Sequence, residues 1–182
     1  MTTDPERLTT YDDPWMAARM YAQAMGWRVI PYSGRLKKPL GYAWQQRATT
    51  DLDQIDAWKT DFQRHGVCIV TGKESNLHVV DVDVADGKQG MDTLRSLLAA
   101  RGLERVKETY TVRTPSGGVH FYLQYPKGIE LGNDHHGKIL GLHIDIKAEG
   151  GQVLAPPTPG YRWIDGRSPW ELDIDEMPGG LW

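Results

Sequence analysis

The run "LHVVDVDV", residues 77–84, constrains the fold more than any other stretch of the chain. Valines at 79, 80, 82 and 84 favour an extended strand, because β-branched side chains fit a pleated sheet. Asp81 and Asp83 interrupt that run, and carboxylates resist burial. Successive strand side chains point to opposite faces. The alternation therefore predicts Asp81 and Asp83 together on one face, with Val80, Val82 and Val84 covering the other. Two like charges held close together each disfavour the other's ionisation unless a cation or hydrogen-bond donors stand beside them. A hard divalent cation meets that need, since Mg²⁺ favours carboxylate oxygens and leaves positions for water and substrate phosphates.

The same oddity recurs downstream. In "LHIDIKA", residues 142–148, Ile144 and Ile146 share one face while His143, Asp145 and Lys147 share the other. In "GVHFYLQY", residues 118–125, His120, Tyr122 and Gln124 alternate against Phe121 and Leu123. If these three strands neighbour one another with their polar faces aligned, Asp81, Asp83, Asp145, His120 and Lys147 converge. Three carboxylates suffice to hold two divalent cations, one activating an attacking hydroxyl and one stabilising a leaving pyrophosphate. His120 and Lys147 suit triphosphate oxygens, and the glycines of "TPSGG", residues 114–118, let backbone amides approach an anion closely.

The rest of the chain reads as α+β. "DDPWMAARMYAQAMGW" has Asp13 as N-cap, Pro14 in the first turn, Gly26 as terminator, and Met16, Met20, Tyr21 and Ala24 on one face. "WRVIPYS" suits a short strand, and "LKKPLGYAWQQRAT" a Pro/Gly-broken loop carrying Lys37, Lys38 and Arg47. A second helix is expected in "TTDLDQIDAWKTDF", capped by Thr50 or Asp51. "GVCIVTG" and "LHVVDVDV", separated by "KESN", suit a hairpin or neighbouring strands. "GMDTLRSLLAARGL" repeats apolar residues at 91, 94 and 98, as a helix lying on a sheet should. "ETYTVRT" and "GQVLAPP" complete a strand-rich second half, so the expected sheets are antiparallel or mixed.

A length of 182 residues fits one domain, with a core from about 14 to 164; "MPGGLW" at the end suits a domain boundary. A lone cysteine, Cys68, excludes an internal disulfide and a thiolate zinc knuckle. The adjacent His135 and His136 of "NDHHGK" read as exposed loop residues rather than a second metal site, and "VTGKES" lacks the spacing of a Walker phosphate loop. No apolar run approaches a membrane span, and "MTTDPERLTT" has neither the basic start nor the apolar core of a signal peptide, so a cytoplasmic protein is expected. The net charge of −3 does not advertise nucleic-acid binding.

The order "VVDVDV", "TVRTPSGGVHFYL", "HIDIKAEGGQVLAPP" and "YRW" resembles the bifunctional primase/polymerase domain of phage and plasmid replication proteins, within the archaeo-eukaryotic primase superfamily. Upstream, "AMGWRVIPY", "KKPLGYAW", "ATTDLDQIDAW" and "GVCIVTG" extend the resemblance from about Trp15 to Trp163. It implies a catalytic core of helices and sheets with an RRM-like portion. It further implies that Asp81, Asp83 and Asp145 hold two Mg²⁺ or Mn²⁺ ions and that His120 contacts the triphosphate of an incoming NTP or dNTP. Ser116, Gly117, Gly118, Arg113 and Lys147 follow as further nucleotide-binding candidates. The superfamily often has Ser two residues before that histidine, where this chain has Gly118. A single-stranded DNA template and a primer are the implied partners, with a helicase or helical domain in a longer protein. Two other classes suit the same residues: a metal-dependent nuclease, and a non-catalytic single-strand-binding module in which Tyr122 stacks on bases.

Overall fold

The computed structural model describes residues 13–104, 106 and 108–177. The stretch "MTTDPERLTT", expected not to be a signal peptide, and the last five residues of "MPGGLW" lie outside them.

Asp13 caps helix α1, Pro14–Met25, by accepting from the Trp15 amide, and Gly26 closes it in the left-handed conformation at φ 67°. The buried face of α1 is Trp15, Ala17, Ala18, Tyr21 and Ala22; Met16 and Ala24 point to solvent, contrary to the face expected from spacing. Small alanines let α1 lie close on the sheet beneath, so packing overrode the longer methionine side chains. Strands β1, Arg28–Ser33, and β2, Lys38–Pro39, form a hairpin, and a short helix α2, Trp44–Arg47, follows in what the sequence suggested was a loop. Helix α3, Leu52–Asp61, is capped by Asp51 and buries Ile55 and Trp58. Strand β3, Gly66–Val70, pairs antiparallel with β1.

Strand β4, Leu77–Val82, does not form a hairpin with β3. The two belong to different sheets, joined by an isolated bridge between Gly72 and Leu77. Helix α4, Gly90–Ala100, follows, with Leu94 and Leu98 buried and Met91 turned outward. The remaining strands are β5, Thr111–Arg113; β6, Val119–Gln124; β7, Ile144–Lys147; β8, Gln152–Val153; and β9, Arg162–Trp163. They complete a four-stranded sheet of order β2-β1-β3-β8 and a five-stranded sheet of order β7-β4-β6-β5-β9, with every strand pair antiparallel. The chain is thus α+β. No helix among the described residues is long and apolar enough to cross a membrane.

The five-stranded sheet has two unlike faces. Val80, Val82, Phe121, Leu123, Ile144 and Ile146 pack beneath Leu94 and Leu98 of α4. On the other face, Leu77, Val79, Val112 and Tyr122 join Trp27, Ile30, Ile69 and α1 in the larger core. Aromatic rings fasten the two sheets: Trp27 lies 5.5 Å from Tyr122 and 5.7 Å from Tyr21, and Tyr122 lies 5.4 Å from Trp163. Such pairs add about 0.5–1.5 kcal/mol each beyond area burial. The Tyr122 hydroxyl donates to the Leu154 carbonyl, and Tyr21 donates to Pro156, so burying these phenols leaves neither unsatisfied.

His78 is completely buried on the α4 face, its Nδ1 2.9 Å from the Gln124 carbonyl. Burial pushes its imidazole down to about 4 although the carbonyl contact opposes this. The unfolded chain therefore binds the extra proton between about pH 6.5 and 4, so stability is complete above 6.5 and declines as pH falls through that window. We expect equilibrium urea unfolding to show a loss of up to about 1.4 kcal/mol per pH unit between pH 6.5 and 5. A His78→Gln variant should be less stable at pH 7.5 and flatter across the same interval.

Candidate active site

β4 is the second strand of its sheet, flanked by β7 and β6, and its register decides what meets what. Asp81 stands opposite Asp145 of β7 on one side and His120 of β6 on the other. Directly opposed residues on adjacent strands point to the same face. The row Asp145–Asp81–His120 is therefore built by backbone hydrogen bonding and does not rely on flexible loops. Lys147, two residues beyond Asp145, is carried on the same face, and its ammonium lies 2.7 Å from Asp145 Oδ2 and 4.0 Å from Asp81 Oδ2. Carboxylates on opposed residues are roughly 5 Å apart, where two unit charges repel by about 3 kcal/mol at an effective dielectric of 20. One ammonium between them offsets that repulsion.

Asp83 lies just past the end of β4, fixed by its own backbone. Its amide donates to the His143 carbonyl at 3.0 Å, and its carbonyl accepts from the Gly90 amide at the start of α4. A Cβ on Gly90 would stand 2.5 Å from the Asp83 carbonyl oxygen, so the helix can meet the strand end here only through glycine. The Asp83 carboxylate accepts from the Ala85 amide at 2.9 Å and from the Lys88 ammonium. Partial burial works against ionisation, but the Lys88 hydrogen bond, the Ala85 amide and the charge of Lys88 together hold this carboxyl below its usual range. Lys88 in turn is raised by its bond to Asp83 and by the charge of Asp145. Asp81, Asp83 and Asp145 are thus tied into one network by Lys88 and Lys147.

His120 is buried, and its Nε2 faces Asp81 Oδ1 at 3.3 Å while its Nδ1 has no hydrogen-bond partner among the described residues. The Tyr161 ring stands 5.8 Å away. Burial and the nearby Asp81 charge raise the Tyr161 phenol. Tyr161 also lines a cleft of about 380 Å³ together with Tyr21, Pro157, Arg162, Trp163 and Trp170. Tyr161, Lys88 and His135 escaped the sequence reading as site residues. His135 is exposed, as expected of it, yet its Nδ1 reaches 3.5 Å from Asp145 and 3.2 Å from Lys147. Only Lys88 left a usable signal, a cation five residues after Asp83 in a glycine-containing turn. His136 is exposed, and its amide caps the Asp134 side chain.

The "TPSGG" segment is the turn between β5 and β6, closed by the Thr114 amide on the Gly118 carbonyl and by the Gly117 amide on the Thr114 carbonyl. Gly117, at φ 88°, needs the left-handed region. Gly118 is buried against β4: a Cβ there would lie 2.5 Å from the Val82 carbonyl oxygen. Exposed Ser116 has its hydroxyl 3.1 Å from that of Thr114, and exposed Arg113 donates to the Gly117 carbonyl at 3.2 Å. The turn borders Asp83, whereas His120 sits beside Asp81. Tyr122, considered above as a base-stacking residue, is wholly buried between Trp27 and Trp163 and presents no ring to a nucleic acid.

The donor chemistry of the carboxylates fits a hard divalent cation. In their present positions they are neutralised by lysine, and no group of three Asp, Glu, His or Cys side chains among the described residues stands in a metal-holding arrangement.

Residues 18–179 match the family model Prim-Pol, described as "Bifunctional DNA primase/polymerase, N-terminal". No curated protein matches the chain.

Placing serine at 118 should disturb this turn. We expect Gly118→Ser to lower stability by about 1–3 kcal/mol in urea unfolding, from the forced approach to Val82. Ser116→Ala on the exposed side of the same turn should stay within about 0.5 kcal/mol of the parent.

Proposed function

The chain belongs to the Prim-Pol family of N-terminal bifunctional DNA primase/polymerase domains, and from that premise we propose that it carries out template-directed nucleotidyl transfer at the Asp145–Asp81–His120 row. The observation that carries the reading is the register itself, which puts two carboxylates and a buried imidazole on one face of three adjacent strands. A primer 3′-hydroxyl, or that of an initiating nucleotide, attacks the α-phosphate of an incoming NTP or dNTP. The new oxygen–phosphorus bond forms as the α–β bridging bond breaks, and pyrophosphate leaves.

Asp81, Asp83 and Asp145 are the residues that would hold two Mg²⁺ or Mn²⁺ ions. When bound, such ions activate the hydroxyl and offset charge on the transferred and leaving groups. The chain's own groups position the rest. His120 orients the triphosphate, aided by its burial, which limits the directions its ring can take. Lys147 and Lys88 sit at the carboxylates with mobile ammonium ends and serve the phosphate oxygens of a bound nucleotide. Ser116, Gly117, Gly118 and Arg113 form a polar turn at the Asp83 end of the sheet, where a phosphate would meet backbone and guanidinium groups. The proposed setting is replication of phage or plasmid DNA in the cytoplasm, on a single-stranded template and in concert with a helicase or helical domain.

Incubating a labelled primer–template with dNTPs and Mn²⁺ distinguishes this activity from nuclease action, because the primer lengthens in one case and shortens in the other. Asp81→Asn should retain the parental circular dichroism and reduce extension on the order of a hundredfold or more, the loss of several kcal/mol of charge stabilisation. Parental extension by that variant would contradict the assignment. His120→Ala should raise the KM for nucleotide more than it lowers kcat; unchanged kinetics would remove His120 from the site.

A further inference from the structure

No Asp or Glu stands between Asp13 and Asp51, whereas Arg19, Arg28, Arg35, Lys37, Lys38 and Arg47 do. In a chain of net charge −3 this is a strongly one-sided segment. Arg19 is matched by Asp56 and Arg28 by Glu74, both from outside the segment. Arg35, Lys37, Lys38 and Arg47 have no carboxylate partner among the described residues and are all exposed.

These four lie on the β1–β2 hairpin and at the end of the short helix that follows it. The β1–β2 hairpin pairs Ser33 with Lys38 and Tyr32 with Pro39, which puts Arg35 and Lys37 in its turn. The chain then bends through Gly41 at φ 91°, and the Arg47 guanidinium lies so close over Gly41 that a Cβ there would stand 2.2 Å from it. Between Gly41 and the left-handed Ala43, Tyr42 is 93% exposed, more than any other large hydrophobic side chain described. Four exposed cations without a carboxylate partner among the described residues, on the same hairpin and following loop as a bare aromatic ring, supply the two elements that hold unpaired nucleic acid: charge for the phosphates and a π-face for a base. Tyr32, at the base of the hairpin, packs against the same core as Tyr161, whose ring is 5.8 Å from His120.

We propose that the β1–β2 hairpin and the loop through Arg47 form the docking surface for the single-stranded DNA template, with Tyr42 stacking on an unpaired base and Arg35, Lys37, Lys38 and Arg47 meeting its phosphates. The identity of the partner rests on the nucleotidyl-transfer reading; the surface itself is argued from charge and exposure. Stacking on Tyr42 requires a base free of its complement, so the strand held here is template not yet copied, ahead of the site of synthesis.

The test is fluorescence anisotropy of a labelled oligo-dT with the full chain, in EDTA and without nucleotide, across a salt titration. Lys37→Gln/Lys38→Gln should reduce the slope of log affinity against log salt by about 1.4, since each single-strand phosphate contact contributes roughly 0.7. Tyr42→Ala should weaken binding roughly five- to hundredfold and Tyr42→Phe should restore it. Arg64→Gln/Lys127→Gln, the same charge change at exposed sites elsewhere, should leave binding unchanged. Parental affinity and slope in the hairpin variants, an equal loss in the control, or equal affinity for a duplex of the same length would each overturn the surface. Binding that depends on the hairpin in a protein unable to extend a primer would instead overturn the nucleotidyl-transfer reading and leave the surface standing.

Discussion

Two carboxylates facing each other across a β-ladder are held apart by nothing except what stands between them. Asp81 and Asp145 occupy opposed positions that the backbone register fixes, so they cannot relieve their repulsion by sliding along the strands. Lys147, on the same face and touching both, supplies the compensating charge, and Lys88 does so for Asp83. The site is therefore a preformed cluster of anions and cations, with local charge balance in place of burial. This explains how acidic residues persist in a valine-rich strand whose opposite face is core.

Helix α1 and the turn that joins it to β1 bear on the strand that carries His120, although they contribute none of the three carboxylates. Trp27 stacks on Tyr122 and also meets Tyr21 and Tyr110, and Trp163 packs against Tyr110 and Tyr122. Along β6 the same face therefore passes from a buried phenol at 122 to a buried imidazole at 120 beside Asp81. Hydrophobic packing at one end of the strand holds the backbone that places an imidazole beside Asp81 at the other. Tyr161, in the loop following β8, completes the wall because Gly160 packs closely on Pro115 of the β5–β6 turn.

Much of this was legible from period-two alternation. Val-Asp, Ile-Asp and His-Phe patterns identified three strands and the shared face of Asp81, Asp145 and His120, since a strand permits only two directions, whereas Asp83 and His143 fall outside β4 and β7, where that alternation no longer holds. Helices were less well read. The buried face of α1 follows its alanines, because close approach of helix to sheet favours small residues, whereas hydrophobicity alone pointed to Met16 and Ala24. Tyr122 looked like part of a polar face and is core, because a phenol needs only one carbonyl partner to be buried. His135, Lys88 and Tyr161 were missed since they reach the site from loops, where no periodicity constrains direction.

By itself the sequence determined which residues lie on which strand face, where the chain turns, and that acids and cations alternate on the polar faces. These are local properties, set by backbone sterics and the chemistry of near neighbours. Only the tertiary structure decided that β7, β4 and β6 are adjacent, that β3 and β4 part into different sheets, and that Asp145, Asp81 and His120 share one row. Strand adjacency depends on how distant segments jointly bury their apolar faces around Trp27 and α4, and no short-range pattern encodes that shared burial.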